Sequence, residues 1–474
     1  MPRLPRAHPI ALTIGRVEAG PARVVGRALI WLAGSAVLLG SSVSRLSAAD
    51  RPHIILVLAD DLGTGDVGCY GGTIAPTPNL DRLAREGTRF TNYYSASPIC
   101  SPSRCGLLTG QFPARWRITS YLQTRAGNRA CEQADYLDPA APSLPRVLKS
   151  AGYATAHVGK WHLGGGRDVT AAPRFAAYGY DEAVGTYESP EPHPDITATN
   201  WIWSERDPVK RWERTGFFVD KTLDFLARHG SRPCFVNLWL DDPHLPWVPR
   251  GDAELPKGDT RERLARVLAE IDRQMGRLMD GVPANTLLIF TSDNGAWPTL
   301  GGARTTGYRG SKLSLYEGGI RMPFIARWPG HVPAGRVDER TVLAAVDLLP
   351  TLAAVAGARP PADYAGDGEE LSAALLGRSA GRSKPLLWEY GRNETSFKYP
   401  PGRDRSPNVA IRDGNWKLLV NADGTGAELY DLAADAGEAH DLAATHSEAA
   451  TRLKDAALAW RRALPSPPPA PGEP

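Results

Sequence analysis

Eleven consecutive residues, Cys100-Ser101-Pro102-Ser103-Arg104-Cys105-Gly106-Leu107-Leu108-Thr109-Gly110, combine a sulfur nucleophile, a fixed cation and the punctuation of a short helix. Ser101 is a good N-cap, Pro102 suits the first turn and Gly110 suits the position just past the end. Cys100 is thereby expected at a helix mouth, where unpaired N–H groups and the helix dipole favour negative charge. Arg104 follows one turn later on the same face and adds a permanent positive charge. A nucleophile placed there is expected to become anionic more easily than a free thiol. A lone cysteine beside a helix start is more often structural. Here the Pro-Ser-Arg spacing and the closing Thr-Gly favour chemistry.

Other reactive side chains come in pairs. Asp60-Asp61 and Asp293-Asn294 supply three carboxylates and an amide, an all-oxygen set that suits Ca2+ or Mg2+ and not zinc. Any one Asp is more commonly a turn or cap residue, but two pairs at two strand ends point to one shared metal. Lys160 and His162 alternate along a segment that reads as extended, so both can face one pocket. His244 and Lys312 complete a ring of donors. In isolation each of these would be a solvated ammonium or a satisfied structural imidazole.

Positioning these groups requires a scaffold, and the pattern predicts one. The apolar runs His53–Ala59, Ala154–Val158, Cys234–Leu240 and Thr286–Thr291 read as buried parallel strands. Each ends in a polar cluster: Asp60-Asp61, Gly159-Lys160-Trp161-His162, Asp241-Asp242-Pro243-His244 and Ser292-Asp293-Asn294-Gly295. Helical patterns lie between them at Thr77–Gly87, Ser143–Ala151, Thr215–Arg228 and Thr260–Met279. Strands alternating with helices predict an α/β fold around a mainly parallel central sheet. Ligands of open α/β sheets bind beyond the carboxyl ends of the strands, so the four clusters are expected to converge. From about Pro385 the texture changes to short segments at 408–412, 416–420 and 428–432, an antiparallel meander, followed by a helix at 447–463. Four units are therefore expected: a leader at 1–49, a catalytic domain at 50–384, a C-terminal subdomain at 385–464 and a Pro-rich tail at 465–474.

The Cys-x-Pro-Ser-Arg-x4-Thr-Gly stretch resembles the signature of the type I sulfatases, a family of the alkaline phosphatase superfamily. Gly-Lys-Trp-His-Leu-Gly at 159–164, Pro-His at 243–244 and Tyr-Arg-Gly-Ser-Lys at 308–312 are similar to further motifs of that family, in the same order. The resemblance runs from about Arg51 to the meander and implies an alkaline phosphatase-like fold. It implies that Cys100 is oxidised by a formylglycine-generating enzyme to Cα-formylglycine, whose hydrate supplies the attacking oxygen. By the same resemblance Asp60, Asp61, Asp293 and Asn294 bind calcium, or sometimes magnesium, together with the oxygen at position 100. Lys160 and Lys312 then hold sulfate oxygens. His244 is expected to protonate the leaving oxygen, with Lys312 as a competing donor, and His162 to take the proton that lets sulfate depart. The implied activity is hydrolysis of sulfate esters, with a sulfated carbohydrate as the expected substrate.

The totals fit this picture and exclude others. The chain has 474 residues, 42% apolar and 23% charged, too long for one simple core and too apolar for disorder. A net charge of +3 with no basic stripe gives no reason to expect nucleic acid as a partner. Arg23 and Arg27, the apolar run 28–39 and the small-residue exit Ser47-Ala48-Ala49 read as an export signal, too short and broken for a stable membrane span. A periplasmic or extracellular location follows if the source is bacterial. Cys69, Cys105, Cys131 and Cys234 are enough for two disulfides, and equally compatible with free buried thiols. Trp247, the stretch 201–214 and the loop 297–308 are candidates for the substrate entrance, and Arg304 and Arg309 for contact with an anionic polymer. Two other readings compete: a phosphonate or phosphate ester hydrolase of the same superfamily, and a silent glycan-binding protein with unmodified Cys100.

Overall fold

His53–Ala59 (β1) shows how the sheet is held. Its alternate residues serve two cores: Ile54, Leu56 and Leu58 pack into one apolar cluster, Ile55, Val57 and Ala59 into another. A strand buried on both faces needs the continuous apolar run that the sequence carries here. The structure, a computed structural model, describes residues 51–196, 204–378, 381–396 and 402–466. The predicted leader, Trp201, Trp203 and most of the Pro-rich tail lie outside those residues.

In chain order the strands are Thr88–Tyr94 (β2), Ala154–Gly159 (β3), Glu182–Gly185 (β4), Cys234–Trp239 (β5), Thr286–Ser292 (β6), Arg321–Arg327 (β7), Arg336–Asp338 (β8) and Leu343–Ala344 (β9). They form one sheet in the order β4-β3-β5-β1-β6-β7-β2-β8, with β9 also on β2. Only β7 runs against the rest, antiparallel to both β6 and β2. The α/β, mainly parallel expectation is met. Strands β2, β4, β7, β8 and β9 were not anticipated: β7 carries Pro323, which reads as a strand breaker, and β4, β8 and β9 are only four, three and two residues long.

Helices cover both faces. Pro78–Arg85, Arg214–His229 and Arg261–Gly281 bury Leu83, Phe218, Leu268 and their neighbours against one side. Cys100–Thr109, Leu144–Ser150 and Leu348–Val355 cover the other. The meander is a second, antiparallel sheet of Leu386–Glu389 (β10), Val409–Asp413 (β11), Trp416–Val420 (β12) and Glu428–Asp431 (β13). The helix Ser447–Arg462 packs on it, and its Leu453 belongs to the same apolar cluster as Leu56 of β1. No helix of the described residues is long and apolar enough to cross a membrane. No disulfide joins the cysteines among the described residues.

Candidate active site

Strands β3, β5, β1 and β6 are adjacent and parallel, so their carboxyl ends form one rim. Each contributes the cluster that follows it. Gly159 ends β3 at φ +113, where a Cβ would come within 1.8 Å of the Trp239 carbonyl oxygen, so only glycine allows β3 and β5 to stay this close. The next residue, Lys160, donates its N–H to that same carbonyl and turns its side chain onto Asp60.

Helix Cys100–Thr109 aims its N-terminus at this rim. Cys100 itself opens the helix and Ile99 occupies the cap position, so Ser101 is not the N-cap. The Ser101 hydroxyl instead accepts the Leu122 N–H at 2.9 Å, tying the following loop to the helix. Gly110 closes the helix in the left-handed region, as its sequence position predicts.

Cys100 Sγ lies 3.4 Å from Asp60 Oδ1, 3.9 Å from Asp61 Oδ1 and 3.5 Å from Lys312 Nζ. Asp60 Oδ2 accepts from Lys160 Nζ at 2.5 Å, and Asp61 accepts from Lys312 Nζ at 2.7 Å. Arg104 grips Asp293 Oδ2 through Nε and Nη2 at 3.0 and 2.7 Å, donates to the Lys160 carbonyl, and lies 5.3 Å from the Trp239 ring. Ser103 Oγ donates to the Asp293 carbonyl. Asn294 Nδ2 donates to Asp61 Oδ1 at 2.8 Å, and the Asp61 N–H to Asp293 Oδ1 at 3.2 Å. His244 Nε2 is 3.6 Å from Asp61 Oδ2, while its Nδ1 donates to the Leu245 carbonyl at 2.6 Å. Asp60, Asp61, Cys100, His244 and Lys312 therefore surround one point, with Asp293 and Asn294 joined to it through Asp61.

The charges are set by neighbours. Burial alone would raise Asp60, but the permanent cations Lys160, Arg104 and Lys312 hold it well below the usual carboxylate range. Asp61 is lowered against the same burial, chiefly by Lys312. Asp293 is pushed up to about 7 by burial and by the Asp60 charge. Burial and Asp60 also push the Cys100 thiol well up, overriding the helix mouth and the lysines. The expectation of an easily ionised Cys100 therefore fails, because a dry site with carboxylates penalises a thiolate more than one helix turn favours it. Burial lowers His162 to about 3 and His244 to about 4.

These residues fit a hard divalent ion. Three carboxylates lie within a few ångströms in a dry site, an arrangement stable only with strong counter-charge. Asn294 Oδ1 is buried with no donor among the described residues, the form an amide takes when its oxygen is reserved for a cation. Asp60, Asp61, Cys100 and His244 offer ligand atoms that all lie within 4.8 Å of one another. His244, given a proton-transfer role from sequence, thus also belongs to that cluster.

The cavity in front of this centre has about 560 Å³ and is lined by Cys100, Lys160, His162, His244 and Lys312. Lys160 and His162 do share it, but the segment between them turns, with His162 at φ +55 and not extended. Trp297 lines the cavity with its ring 5.7 Å from Lys312 Nζ. Trp247 does not: it is a buried core residue. Arg304 is likewise buried and bound to Asp66 at 2.7 Å, and Arg309 stacks 3.7 Å from the Tyr316 ring, so both brace loops. Sequence reasoning missed Tyr121, Arg167 and Glu188, which complete the wall. Glu188 stands just past the carboxyl end of β4, so the strand-end rule would have found it had that short strand been identified.

A family model for sulfatases matches residues 52–358, and one for the C-terminal region of N-sulphoglucosamine sulphohydrolase matches 309–460. The chain is 30% identical to the N-acetylgalactosamine-6-O-sulfatase of Bacteroides thetaiotaomicron over 91% of its length and 98% of that protein's. It is 37% identical to the N-acetylgalactosamine-6-sulfatase of Homo sapiens, over 69% of this chain and 66% of that one. The solved structure of Ps i-CgsB in complex with k-i-k-neocarrahexaose superposes with a TM-score of 0.72 at 27% identity, covering 88% of this chain and 94% of that one. With the signature cysteine and the paired carboxylates meeting on one rim of the sheet, the chain belongs to the sulfatase family and is a hydrolase of sulfate esters.

Proposed function

We propose that this enzyme removes sulfate from a sulfated carbohydrate, using formylglycine made from Cys100 by a formylglycine-generating enzyme and a bound Ca2+ or Mg2+. The observation that carries this reading is the pair of ammonium groups, Lys160 and Lys312, flanking Cys100 at the end of a cavity of about 560 Å³. Relatives named for N-acetylgalactosamine 6-sulfate support that sugar as the first to try. Asp60, Asp61, Asp293 and Asn294 would hold the ion, whose chemistry is to lower the pKa of an oxygen at position 100 and neutralise the carboxylates. Formylglycine supplies, as its hydrate, one hydroxyl to attack sulfur and a second with which to release sulfate.

The chain's own groups do the rest. Lys160 and Lys312 are raised above their ordinary values, despite burial, by Asp60 and Asp61, and so stay cationic to bind sulfate oxygens as charge builds. Arg104 holds Asp293 and the Lys160 carbonyl, fixing both sides of the nucleophile. His244 is the first choice to protonate the leaving oxygen: it is neutral in the free site, and an entering sulfate ester restores negative charge that raises its pKa. Lys312 is the competing donor. His162, neutral and buried, accepts the proton when sulfate departs. Trp297 gives one wall a flat aromatic face suited to a sugar ring.

The basic, apolar and small-residue pattern over 23–49 supports export, which the N-terminal sequence of the protein recovered from outside the cytoplasm would test. Sulfate release from N-acetylgalactosamine 6-sulfate, set against nitrophenyl sulfate and nitrophenyl phosphate, tests the main reading. Turnover of the sulfated sugar is expected, and a preference for the phosphate would overturn the proposal.

A further inference from the structure

His162 is gripped by the loop that follows β4. Its backbone N–H donates to the Glu188 carbonyl at 3.0 Å, and its Nε2 lies 3.0 Å from the Leu122 carbonyl and 3.4 Å from Glu188 Oε2. Both partners of Nε2 are acceptors only, so this nitrogen carries the ring proton. Nδ1 is then the lone-pair nitrogen, and it is buried with no partner among the described residues. Glu188 is held in turn by Arg167, whose Nη2 donates to Oε1 at 2.7 Å. The two loops meet at backbone distance: a Cβ on Gly166 would come within 2.5 Å of the Tyr187 carbonyl oxygen.

Glu188 is a costly residue to place here. It is almost wholly buried, yet the Nε2–H of His162 and the charges of Lys160 and Arg167 outweigh that burial and keep it ionised, at about 2. The charged groups acting on His162 are Glu188, which favours a positive ring, and Lys160 and Arg104, which oppose it. Without Glu188 a proton arriving on His162 would meet only positive neighbours.

We propose that Glu188, braced by Arg167, is a positioning residue for the sulfate-release step. It and the Leu122 carbonyl hold the ring proton on Nε2 and leave Nδ1 as the accepting nitrogen, and its charge stabilises the imidazolium that forms when Nδ1 takes a proton. The step breaks one O–H bond of a hydroxyl on residue 100 and forms Nδ1–H, the electron pair staying on oxygen; nothing covalent changes at Glu188. The inference rests on the reading of His162 as the proton acceptor.

Two measurements test it. Protein labelled with 15N-histidine, with the His162 signals assigned through His162→Asn, is expected to show Nε2 protonated and Nδ1 bare at neutral pH. The opposite tautomer would overturn the proposal, independently of any assay. On a small aryl sulfate, Glu188→Gln is expected to lower kcat about 10- to 100-fold with KM within about twofold. Arg167→Ala, which leaves the carboxylate in place, is expected to lose less, about threefold. A rise in KM at constant kcat would make Glu188 a substrate contact and overturn the proposal, as would unchanged kinetics. If Glu188→Gln does not fold, the Arg167→Ala kinetics and the wild-type tautomer decide. If His162→Asn itself keeps full kcat, the reading of His162 fails; if only His162→Asn is impaired, the role given to Glu188 fails alone.

Discussion

At the scale of single residues, each group in the pocket has a distinct failure when replaced. Serine at position 100 can accept sulfate but has no second hydroxyl with which to expel it. Cys100→Ser is therefore expected to turn over at most once and to accumulate as a sulfated protein, detectable by intact mass; sustained turnover would contradict the two-hydroxyl scheme. Lys160→Ala removes a preorganised charge from a dry site and is expected to lower kcat about 100- to 1,000-fold. The donor role divides His244 from Lys312 through the leaving group. His244→Ala should slow esters of poorly acidic alcohols about 100-fold more than nitrophenyl sulfate, whose leaving oxygen needs little protonation. An equal loss on both would move that role to Lys312.

At the scale of elements, the strand ends were the legible part. The runs 53–59, 154–158, 234–240 and 286–291 announce themselves by apolar content, and the rule that ligands gather at carboxyl ends brought Asp60, Lys160, His244 and Asp293 together before any coordinates. What was not legible is non-local. The cap role of Ile99, the turn at His162 and the approach of Glu188 depend on contacts made by distant loops, and no spacing in the chain encodes them. Arg304 shows the opposite error: an arginine in a loop near the site reads as a substrate contact until its carboxylate partner, Asp66, is seen beneath it. Gly159 tests the geometry of the rim. Gly159→Ala places a methyl group against the Trp239 carbonyl, and is expected to cost about 2–4 kcal/mol of stability and to lower kcat by displacing Lys160. A melting temperature and kcat equal to wild type would show that the rim does not depend on this contact.

At the scale of the whole molecule, one buried charge cluster links the C-terminal sheet to the short helix Glu317–Ile320 that leads into β7. Lys417 on β12 lies 2.9 Å from Glu317 and 2.8 Å from Glu438, and Glu438 accepts the Glu317 N–H at 2.6 Å. Two carboxylates share one ammonium group. Lys417 and Arg321 keep Glu317 ionised, at about 2, despite its burial, whereas burial pushes Glu438 up to about 7, Lys417 notwithstanding and with the Glu317 charge adding to the rise. A carboxyl whose folded pKa is raised keeps its proton while the unfolded chain loses it. Its contribution is therefore complete below about 4.5, the unfolded value, and is lost as pH rises through about 7. Glu438→Gln is expected to flatten the decline in melting temperature between pH 5 and pH 8, and to stabilise the protein most at pH 8. An unchanged slope would show that Glu438 is already ionised at pH 5. Metal removal is the complementary test: a chelator is expected to abolish activity and lower the melting temperature, and Ca2+ to restore both. Asn294→Ala should raise the Ca2+ needed for half-restoration about tenfold or more.

The most direct measurement is the mass of the tryptic peptide Phe90–Arg104 from active enzyme, followed alongside its rate of sulfate release from nitrophenyl sulfate. The account predicts a peptide about 18 Da lighter than the cysteine form, with activity proportional to the converted fraction. Full activity in protein whose Cys100 is an unmodified thiol would contradict it.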